Sequence, residues 1–282
     1  SIYFYRLAGL TGFLVVFGLV MVLSSSSIDS LVANRDAFYV FSRQSLYAVV
    51  GLAVMLFISS LKLKVIQNLV KAAVVFGFAL QLSVPFLGIT VNGNTNWISI
   101  AGFTLQPAEF LKVALIMYMA WFVSNREHEL DDPRRVLLPV LIVGGAALAL
   151  VMLGRDLGTA IIIALIVFGT LVIAGAPLRP LVQVFIGVAI AGALAAFSSA
   201  SRMARINAWL NPDAASSDAF NWQYEHGTWA LAAGGVFGVG LGNSKMKWSW
   251  IPEVENDFIF AVIGEELGLI GALLVIGIFA LL

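Results

Sequence analysis

Eight long runs of apolar residues constrain this chain more than any other feature. A helix needs roughly 20 apolar residues to cross the hydrocarbon core of a bilayer. The runs lie at about 7–23, 45–61, 66–87, 107–123, 136–153, 157–176, 181–199 and 258–282. Several are slightly short, which implies tilted helices or a locally thinned bilayer. Because the runs are continuous rather than alternating, a transmembrane β-barrel is disfavoured. We therefore predict an all-α fold, a polytopic transmembrane helix bundle.

The composition also indicates lipid as the solvent. Hydrophobic residues make up 60% of the 282 and charged residues only 11%, whereas soluble domains carry about 25% charged residues. Equal numbers of basic and acidic residues give no reason to expect a nucleic-acid partner. The absence of cysteine excludes disulfides, thiolate catalysis and zinc–thiolate sites. Two histidines disfavour a histidine-rich metal site.

The first run, followed by serines at 24–27, resembles a secretory signal peptide. Seven further runs favour its interpretation as the first span instead. The chain lacks an initiator Met and stops within an apolar run, so we expect both ends to be trimmed. We predict one membrane domain over 1–282, with 200–257 as a large extracytoplasmic loop.

Basic residues predict the orientation, because short cytoplasmic loops are enriched in Lys and Arg. With a cytoplasmic N-terminus, the inner side holds eight basic residues: Arg6, Lys62, Lys64, Lys71, Arg126, Arg134, Arg135 and Arg179. The short outer loops then hold only three: Arg35, Arg43 and Arg155. We therefore place the N-terminus in the cytoplasm.

Two outer connections differ from ordinary turns. Residues 88–106 are rich in Gly, Asn and Thr, and 200–257 is the longest stretch between predicted spans. Within the second, Thr228 to Gly242 is apolar and Gly-rich but too short to span, so we expect a re-entrant or interfacial segment. Backbone at that depth is tolerated only against protein or a water-filled cavity. Residues 124–135, by contrast, are expected to form an ordinary solvated turn.

Lys112 lies within the fourth predicted span, where a lysine costs about 2.5–3.5 kcal/mol on insertion scales and therefore needs a partner or a function. Glu109 lies three residues earlier on the same helix face, and Gln106 three before that. Pro107 suits the first helical position, and an acid at Glu109 suits the helix dipole. These local roles explain Glu109 but not Lys112, and a structural ion pair remains an alternative.

Asp257 opens the last predicted span, where an ordinary interpretation is a helix N-cap. Glu253 and Glu255 crowd further carboxylates at the same membrane surface. Like charges and a partly dry site make a carboxylate hold a proton more readily, which suits a general base. Glu265 and Glu266 lie about 12 Å deeper in the span at 1.5 Å per residue, and need water, cations or protein partners there.

The turn between the fifth and sixth spans reads GRDLGT, at 154–159. Its ordinary interpretation is an interfacial turn with an Arg155–Asp156 pair. Arg155, Arg43, Arg202 and Arg205 lie on the predicted outer side, where a guanidinium can bind a lipid phosphate in bidentate fashion. Headgroup anchoring is the alternative for each.

Five tryptophans are explained mainly as interfacial anchors: Trp97, Trp222, Trp229, Trp248 and Trp250. The glycines of GGVFGVGLG suggest a phosphate cradle, but no Lys-Ser/Thr follows at P-loop spacing. We therefore reject nucleotide binding.

Taken together, these motifs resemble those of the SEDS family, named for shape, elongation, division and sporulation. They are NGNTNWI (92–98), LQPAEFLK (105–112), GRDLGT (154–159), AAGGVFGVGLG (232–242) and PEVENDFIFAVIGEELGLIG (252–271). The resemblance covers essentially the whole chain in the expected order. It implies about ten spans, of which eight are present. The forms GRDLGT and NGNTNWI look more like the division branch (FtsW) than the elongation branch (RodA).

The resemblance implies a peptidoglycan glycosyltransferase that joins lipid II units at the outer leaflet of the bacterial cytoplasmic membrane, for septal synthesis, and releases undecaprenyl pyrophosphate. It also implies a class B penicillin-binding protein as partner, alongside other membrane proteins of the division machinery. The family's essential aspartate falls on Asp257. The family's Gln-Pro-Ser-Glu…Lys motif falls on Gln106, Pro107, Glu109 and Lys112, with Ala108 in place of Ser. Glu255-Asn256 stands where the family usually has a His-Thr or His-Asn pair.

From this resemblance we expect Asp257 to be the base that activates the acceptor 4-hydroxyl, with inversion at the donor sugar. The candidate substrate contacts are Gln106, Glu109, Lys112, Arg43, Arg155, Arg205 and Trp97. A divalent cation, Mg²⁺ or Mn²⁺, is an expected cofactor, held by carboxylates and substrate phosphates without a protein cage; no organic cofactor is expected.

Three other functions stay open at this point. A lipid II flippase also uses intramembrane Glu and Lys, an elongation polymerase shares the motifs, and a scaffold would only recruit the transpeptidase.

Overall fold

A computed structural model describes all residues except 1, 92–93, 101–102, 130–131, 133, 199, 212–217 and 249–253. The described residues form ten α-helices: α1 Ile2–Asn34, α2 Tyr39–Ser60, α3 Leu63–Leu87, α4 Pro107–Ser124, α5 Leu137–Leu153, α6 Leu157–Ile173, α7 Leu178–Phe197, α8 Ala200–Leu210, α9 Asp218–Gly234 and α10 Ile259–Leu281. The prediction of an all-α membrane fold is therefore confirmed.

Each of the eight predicted spans coincides with a helix. Six helices are long and apolar enough to cross a bilayer by length and composition: α1, α2, α3, α4, α7 and α10. The other two, α5 and α6, are equally apolar but have only 17 residues each. Their length agrees with the expectation of tilt or local thinning.

The stretch 200–257, which the sequence predicted as one long loop, contains two helices, α8 and α9. Both are more polar than the spans: α8 carries Arg202 and Arg205, and α9 carries Glu225 and His226. Their polarity explains why a search for apolar runs missed them. The segment 124–135 contains a short 3₁₀ turn, Glu127–Glu129, and mostly exposed charged residues, as expected of a solvated turn.

A small antiparallel sheet occupies the connection between α3 and α4. Its strands are β1 Gly88–Val91, β2 Asn94–Ile100 and β3 Phe103–Leu105, in the order β1-β2-β3. Ile98 is the central register position, since it pairs with Gly88 on one side and Leu105 on the other, and it is buried. The Gly-, Asn- and Thr-rich composition of this connection predicted an unusual loop but no strand.

The chain divides into two compact units by its internal contacts. A terminal unit contains residues 1–60 and 204–282, and a central unit contains residues 61–203. The central unit has its core on α4 to α7, around Leu111, Leu115, Val140, Ile163 and Leu171. The terminal unit has a smaller core in which α1 and α10 meet: Met21, Val254, Val262, Ile263 and Val275. The single domain expected from the sequence stays a prediction.

Helix α10 is interrupted at Gly268, whose φ of 69° and ψ of −166° are not helical. The Gly-rich segment 235–240, which follows α9, supplies hydrogen-bond donors at the break. The N–H of Val239 donates to the carbonyl of Glu265 at 2.9 Å. The N–H of Gly240 donates to the carbonyl of Glu266 at 3.0 Å. In a continuous helix these carbonyls would accept from residues 269 and 270.

The same segment also supplies acceptors at this break. The N–H of Leu269 donates to the carbonyl of Gly235 at 2.9 Å, and the N–H of Ile270 donates to the carbonyl of Val236 at 3.3 Å. The segment 235–240 thus bonds both backbone donors and both backbone acceptors beside the interruption. An apolar environment requires such partners, because unpaired backbone groups there are costly.

Candidate active site

Asp156 is the centre of a polar cluster in the central unit. It is the N-cap of α6, where its Oδ1 accepts a hydrogen bond from the Thr159 N–H at 3.0 Å. Its Oδ2 accepts from the Thr159 hydroxyl at 2.8 Å, from the Asn96 side-chain amide at 2.9 Å and from the Gln106 side-chain amide at 3.3 Å. The carboxylate therefore joins strand β2, the start of α4 and the turn before α6.

Gln106 takes part in this cluster because its side chain is not used for capping. It occupies the N-cap position of α4 with extended backbone, and it makes no side-chain cap hydrogen bond. Pro107 at the first helical position agrees with the sequence prediction. The amide of Gln106 is instead directed to Asp156.

The hydrogen bonds lower the pKa of Asp156 below its usual value. Burial acts first and in the opposite direction, since it raises the pKa. The donors from Asn96 and Thr159 lower it, and the positive charge of Lys112 adds to their effect. Asp156 is therefore an ionised structural anchor, and it does not have the properties of a general acid.

The central unit also holds the predicted Lys112–Glu109 pair. The ammonium of Lys112 lies 2.8 Å from Glu109 Oε1, one turn apart on α4. The side chain of Lys112 is 17% exposed and that of Glu109 is 58% exposed. Because Glu109 is largely solvated, the pair contributes little to stability. Lys112 thus lies next to the Asp156 cluster as a cation with one exposed partner.

Arg155 does not fit the ordinary interpretation of the turn as an Arg155–Asp156 pair. Its side chain is exposed and its φ is 61°, and the oxygens of Asp156 accept from Asn96, Gln106 and Thr159 instead. The guanidinium of Arg202 donates to the Arg155 carbonyl at 2.8 Å and to the Ala195 carbonyl at 3.0 Å. Arg202 therefore connects this turn to the end of α7, within the central unit.

Asp257 lies in the terminal unit, on the turn before α10, and its side chain is exposed. The N-cap of α10 is Phe258, which makes no side-chain cap hydrogen bond. The alternative that Asp257 caps the last span is therefore wrong, because the helix begins two residues later, at Ile259. Its carboxylate has no capping role and is accessible.

A cavity of about 620 Å³ adjoins this turn within the terminal unit. Apolar residues of α1 form one wall, and more polar residues of α2 and of the turn form the other. The lining residues are Leu14, Val15, Gly18, Leu19, Val22, Gln44, Tyr47, Ala48, Glu255, Asn256 and Ile259. A cavity of this size and mixed polarity suits a ligand that carries both a hydrocarbon chain and a polar head.

Arg43 precedes the cavity residue Gln44 on α2, and its guanidinium lies 6.0 Å from the ring centroid of Tyr47. Arg43 does not line the cavity itself, but it lies beside Tyr47, which does. Arg205, on α8, and Trp97, on β2, are both exposed. The predicted residue Glu253 and the interfacial Trp250 lie outside the described residues.

A sequence model of the cell cycle protein family that groups FtsW, RodA and SpoVE matches residues 5–282. The chain belongs to this family. The probable peptidoglycan glycosyltransferase FtsW of Mycobacterium tuberculosis is 35% identical over 275 residues, which cover 95% of this chain and 52% of that protein. Stage V sporulation protein E of Bacillus subtilis is 34% identical over 279 residues, which cover 97% of this chain and 75% of that protein.

Solved structures of the FtsW/RodA/SpoVE family share this fold. One chain comes from a peptidoglycan synthase complex that coordinates polymerization and crosslinking; it matches with a TM-score of 0.76 and 22% identity, over 98% of this chain and 75% of that one. A mutant of the rod shape determining protein RodA of Thermus thermophilus matches with a TM-score of 0.66 and 20% identity, over 98% and 72%. The chain spans about half the length of the mycobacterial relative.

Sequence reasoning found Gln106 and Lys112 but missed Asn96 as a partner of Asp156. The motif NGNTNWI contains three asparagines, more side-chain amides than any of the other motifs. This richness in amides is the signal that could have identified a hydrogen-bond donor for Asp156. Glu265 and Glu266, which the sequence flagged without a role, are buried in α10 and bonded to Ser24, Ser244 and Lys247. These contacts agree with the expectation that acids inside a span have partners, here protein groups.

The divalent cation expected from the sequence has no complete protein site in the described part of the chain. Those residues contain no group of three or more His, Asp or Glu that could hold a metal ion. Asp156, the best-connected carboxylate of the central unit, already accepts hydrogen bonds at both oxygens. The residues present do not form a cage for a resident cation.

Proposed function

We propose that this chain is a peptidoglycan glycosyltransferase that polymerises lipid II at the outer face of the cytoplasmic membrane. One observation carries the proposal: the turn with the accessible Asp257 adjoins a cavity that is apolar on one wall and polar on the other. A lipid-linked sugar has this combination of properties. The relatives named FtsW, which are about 35% identical, support a role in septal synthesis.

In the proposed reaction, the carboxylate of Asp257 takes the proton of the acceptor 4-hydroxyl as that oxygen attacks the anomeric carbon of the donor. A new glycosidic C–O bond forms, and the bond from the anomeric carbon to the lipid pyrophosphate breaks. The proton ends on Asp257, and undecaprenyl pyrophosphate leaves with its pair of electrons. A single displacement of this kind inverts the configuration of the donor sugar.

The growing charge on the pyrophosphate requires cations. Arg43 is the proposed contact at the cavity of the terminal unit. The other proposed substrate contacts rest on the family resemblance alone. They are Lys112, Arg155, Gln106, Glu109 and Trp97 in the central unit and Arg205 in the terminal unit. We further propose that a Mg²⁺ or Mn²⁺ ion, as an expected cofactor, takes its ligands mainly from the substrate's phosphates.

The proposal includes a cytoplasmic N-terminus, an extracytoplasmic site and a class B penicillin-binding protein as partner. The solved peptidoglycan synthase complex that contains a similar fold supports such a partner. The flippase alternative relied mainly on two acids inside a span, Glu265 and Glu266. Both are buried and bonded to protein groups, which weakens that alternative.

Polymerisation of purified lipid II by the protein in detergent or nanodiscs tests the proposal. Asp257→Asn keeps the shape of the side chain but removes the base, so we expect the rate to fall by about 10²–10⁴-fold, the usual contribution of a positioned base. A flipping assay in proteoliposomes should show no difference between the two proteins. If Asp257→Asn makes glycan strands at the normal rate, the assignment of the base is wrong. If the protein flips lipid II but does not polymerise it, the flippase alternative is correct.

A further inference from the structure

Among the described residues of the terminal unit, two adjacent carboxylates of α10 are the most deeply buried charged groups that the proposed reaction does not use. Glu265 is 1% exposed and Glu266 is 0% exposed. In an apolar environment, charges at this depth persist only when hydrogen bonds and counter-charges surround them. Their partners therefore show what the two residues are for.

Those partners belong to one short segment, residues 244–247, and to α1. Glu265 accepts a hydrogen bond from the Ser244 hydroxyl at 2.5 Å and from the Lys245 N–H at 3.0 Å. Glu266 accepts from the Ser244 N–H at 3.3 Å. Lys247, which is itself buried, places its ammonium 3.9 Å from Glu266 Oε1 and donates to the Gly242 carbonyl. The two carboxylates thus hold the segment 244–247 through both its backbone and its side chains.

Helix α1 is attached to the same carboxylate. The hydroxyl of Ser24 lies 2.7 Å and 2.8 Å from the two oxygens of Glu266. The two serines that follow are buried but do not reach α10, because Ser25 and Ser26 donate to the Val22 carbonyl of their own helix. Ser24 is therefore the residue of this serine run that links α1 to α10.

The held segment is connected to Asp257 through the apolar core of the terminal unit. Met246 lies between Lys245 and Lys247 and packs against the buried cluster that contains Val254. Phe258 packs against the same cluster. Val254 is completely buried, and Phe258 is half-buried. Asp257 lies between these two anchors, while its own side chain is exposed. A shift of 244–247 would therefore disturb the apolar cluster on which both flanks of the Asp257 turn are packed.

We propose that Glu265 and Glu266 are positioning residues for Asp257, which they hold in place through the segment 244–247 and the apolar cluster that Met246 shares with Val254 and Phe258. This inference rests on the proposed function, in which Asp257 is the base. Neither carboxylate has an exposed surface with which to contact a substrate. Catalysis is sensitive to such support, because a misplacement of about 1 Å can cost about a hundredfold in rate.

The kinetic test uses two serines of the same helix as a matched pair. Ser24→Ala removes the hydroxyl bonded to Glu266, whereas Ser26→Ala makes the same chemical change two residues away, at a hydroxyl bonded only within α1. We expect Ser24→Ala to lower kcat for lipid II polymerisation by about tenfold to a hundredfold with KM unchanged, as a displaced base would. Ser26→Ala should keep the kcat of the parent protein. Equal kcat values for the two variants would overturn the proposal.

A second pair of variants distinguishes a positioning role of Glu266 from a purely structural role of the Glu266–Lys247 ion pair. Glu266→Gln leaves Lys247 buried without its counter-charge, and we expect a larger loss of kcat than for Ser24→Ala. Glu266→Gln combined with Lys247→Met removes both charges and should recover part of that loss, because the uncompensated ammonium is gone. If the double variant recovers thermal stability but no activity, the two residues have only a structural role, and the proposal is wrong.

A spectroscopic measurement keeps this inference separate from the proposed function. The chain has no cysteine, so Asp257→Cys provides a single site for a nitroxide spin label in the intact protein. We expect the label to become more mobile when Ser24→Ala or Glu266→Gln is added, and to be unchanged with Ser26→Ala. An unchanged spectrum in all three would overturn the positioning role. Increased mobility, in a protein whose unlabelled parent does not polymerise lipid II, would support the positioning role and contradict the proposed function.

Discussion

The side-chain amide of Asn96 donates a hydrogen bond of 2.9 Å to the carboxylate of Asp156, 60 residues later in the chain. This contact joins two motifs that the sequence could only place on separate outer connections, NGNTNWI and GRDLGT. The Thr95 N–H strengthens the junction, because it donates to the Gly154 carbonyl at 2.9 Å. The small sheet is thus docked on the turn between α5 and α6.

Asp156 should stabilise the protein most at neutral pH. Its folded pKa is lowered, so its contribution is fully present above the ordinary aspartate value of about 3.9 and is lost as the pH falls through the lower folded value. We expect Asp156→Ala to cost about 1–2 kcal/mol at pH 7, as the loss of a helix cap does. Thermal unfolding in detergent at pH 7 and at progressively lower pH measures the difference. Asp36→Ala, which removes an exposed carboxylate bonded to one N–H, is the control. A difference that grows on acidification would contradict this account.

Gly154 should be intolerant of a side chain, because a Cβ at this position would collide with the carbonyl oxygen of Thr95. We expect Gly154→Ala to destabilise the protein by about 1–3 kcal/mol, the usual cost of overpacking, and to loosen the sheet. Gly158→Ala is the matched control, since its Cβ would meet only Asp156 Oδ1, at an ordinary 3.6 Å. Thermal unfolding of both variants measures the difference. Similar losses of stability in the two would show that the clash with the Thr95 carbonyl of β2 is not what destabilises Gly154→Ala.

Lys112 should affect activity rather than stability. Its partner Glu109 is 58% exposed, so the ion pair contributes at most about 1 kcal/mol. We expect Lys112→Ala to lower lipid II polymerisation by at least about tenfold, as loss of a cation near a developing charge does, with nearly unchanged yield and unfolding temperature. Lys64→Ala, at an exposed lysine of α3, should have no effect on either. If Lys112→Ala lowers only the yield, the pair is structural.

Two glycines of one turn give a prediction about the interrupted helix. Gly235 and Gly238 both have positive φ, 54° and 79°. A Cβ at Gly235 would meet nothing within 4 Å, whereas one at Gly238 would collide with the Glu266 carbonyl. We expect Gly235→Ala to cost about 1–2 kcal/mol, for the left-handed backbone alone. Gly238→Ala should cost about 1–3 kcal/mol more, for the added clash, and reduce the yield of folded protein. Equal unfolding temperatures of the two variants would show that the clash is relieved without cost.

The helices were predictable because each apolar run is long enough for its location to be set by hydrophobicity alone. Two features of α4 were predictable from local rules. Proline is favoured at the first helical position, which places Pro107, and positions three apart on a helix share a face, which pairs Glu109 with Lys112. The polarity of α8 and α9 concealed them from that reasoning, and the expected long loop was partly helical.

The rest depends on contacts between distant segments. Nothing local to GRDLGT shows that Asp156 accepts from Asn96 and Gln106 rather than from Arg155. Similarly, Asp257 looked like an N-cap by residue type, but the first turn of α10 begins after Phe258. The partners of Glu265 and Glu266 come from α1 and from residues 244–247, and only the folded chain brings them to one place.

The interruption of α10 has a consequence for biosynthesis. Segment 235–240 leaves the ribosome before the carbonyls and N–H groups that it will bond, and Ser24 is made 242 residues before Glu266. Helix α1 is therefore inserted into the bilayer before α10, its partner in the terminal unit, has been synthesised. A nascent chain halted before residue 265 would hold every atom of the central unit but would lack the groups that close the terminal one.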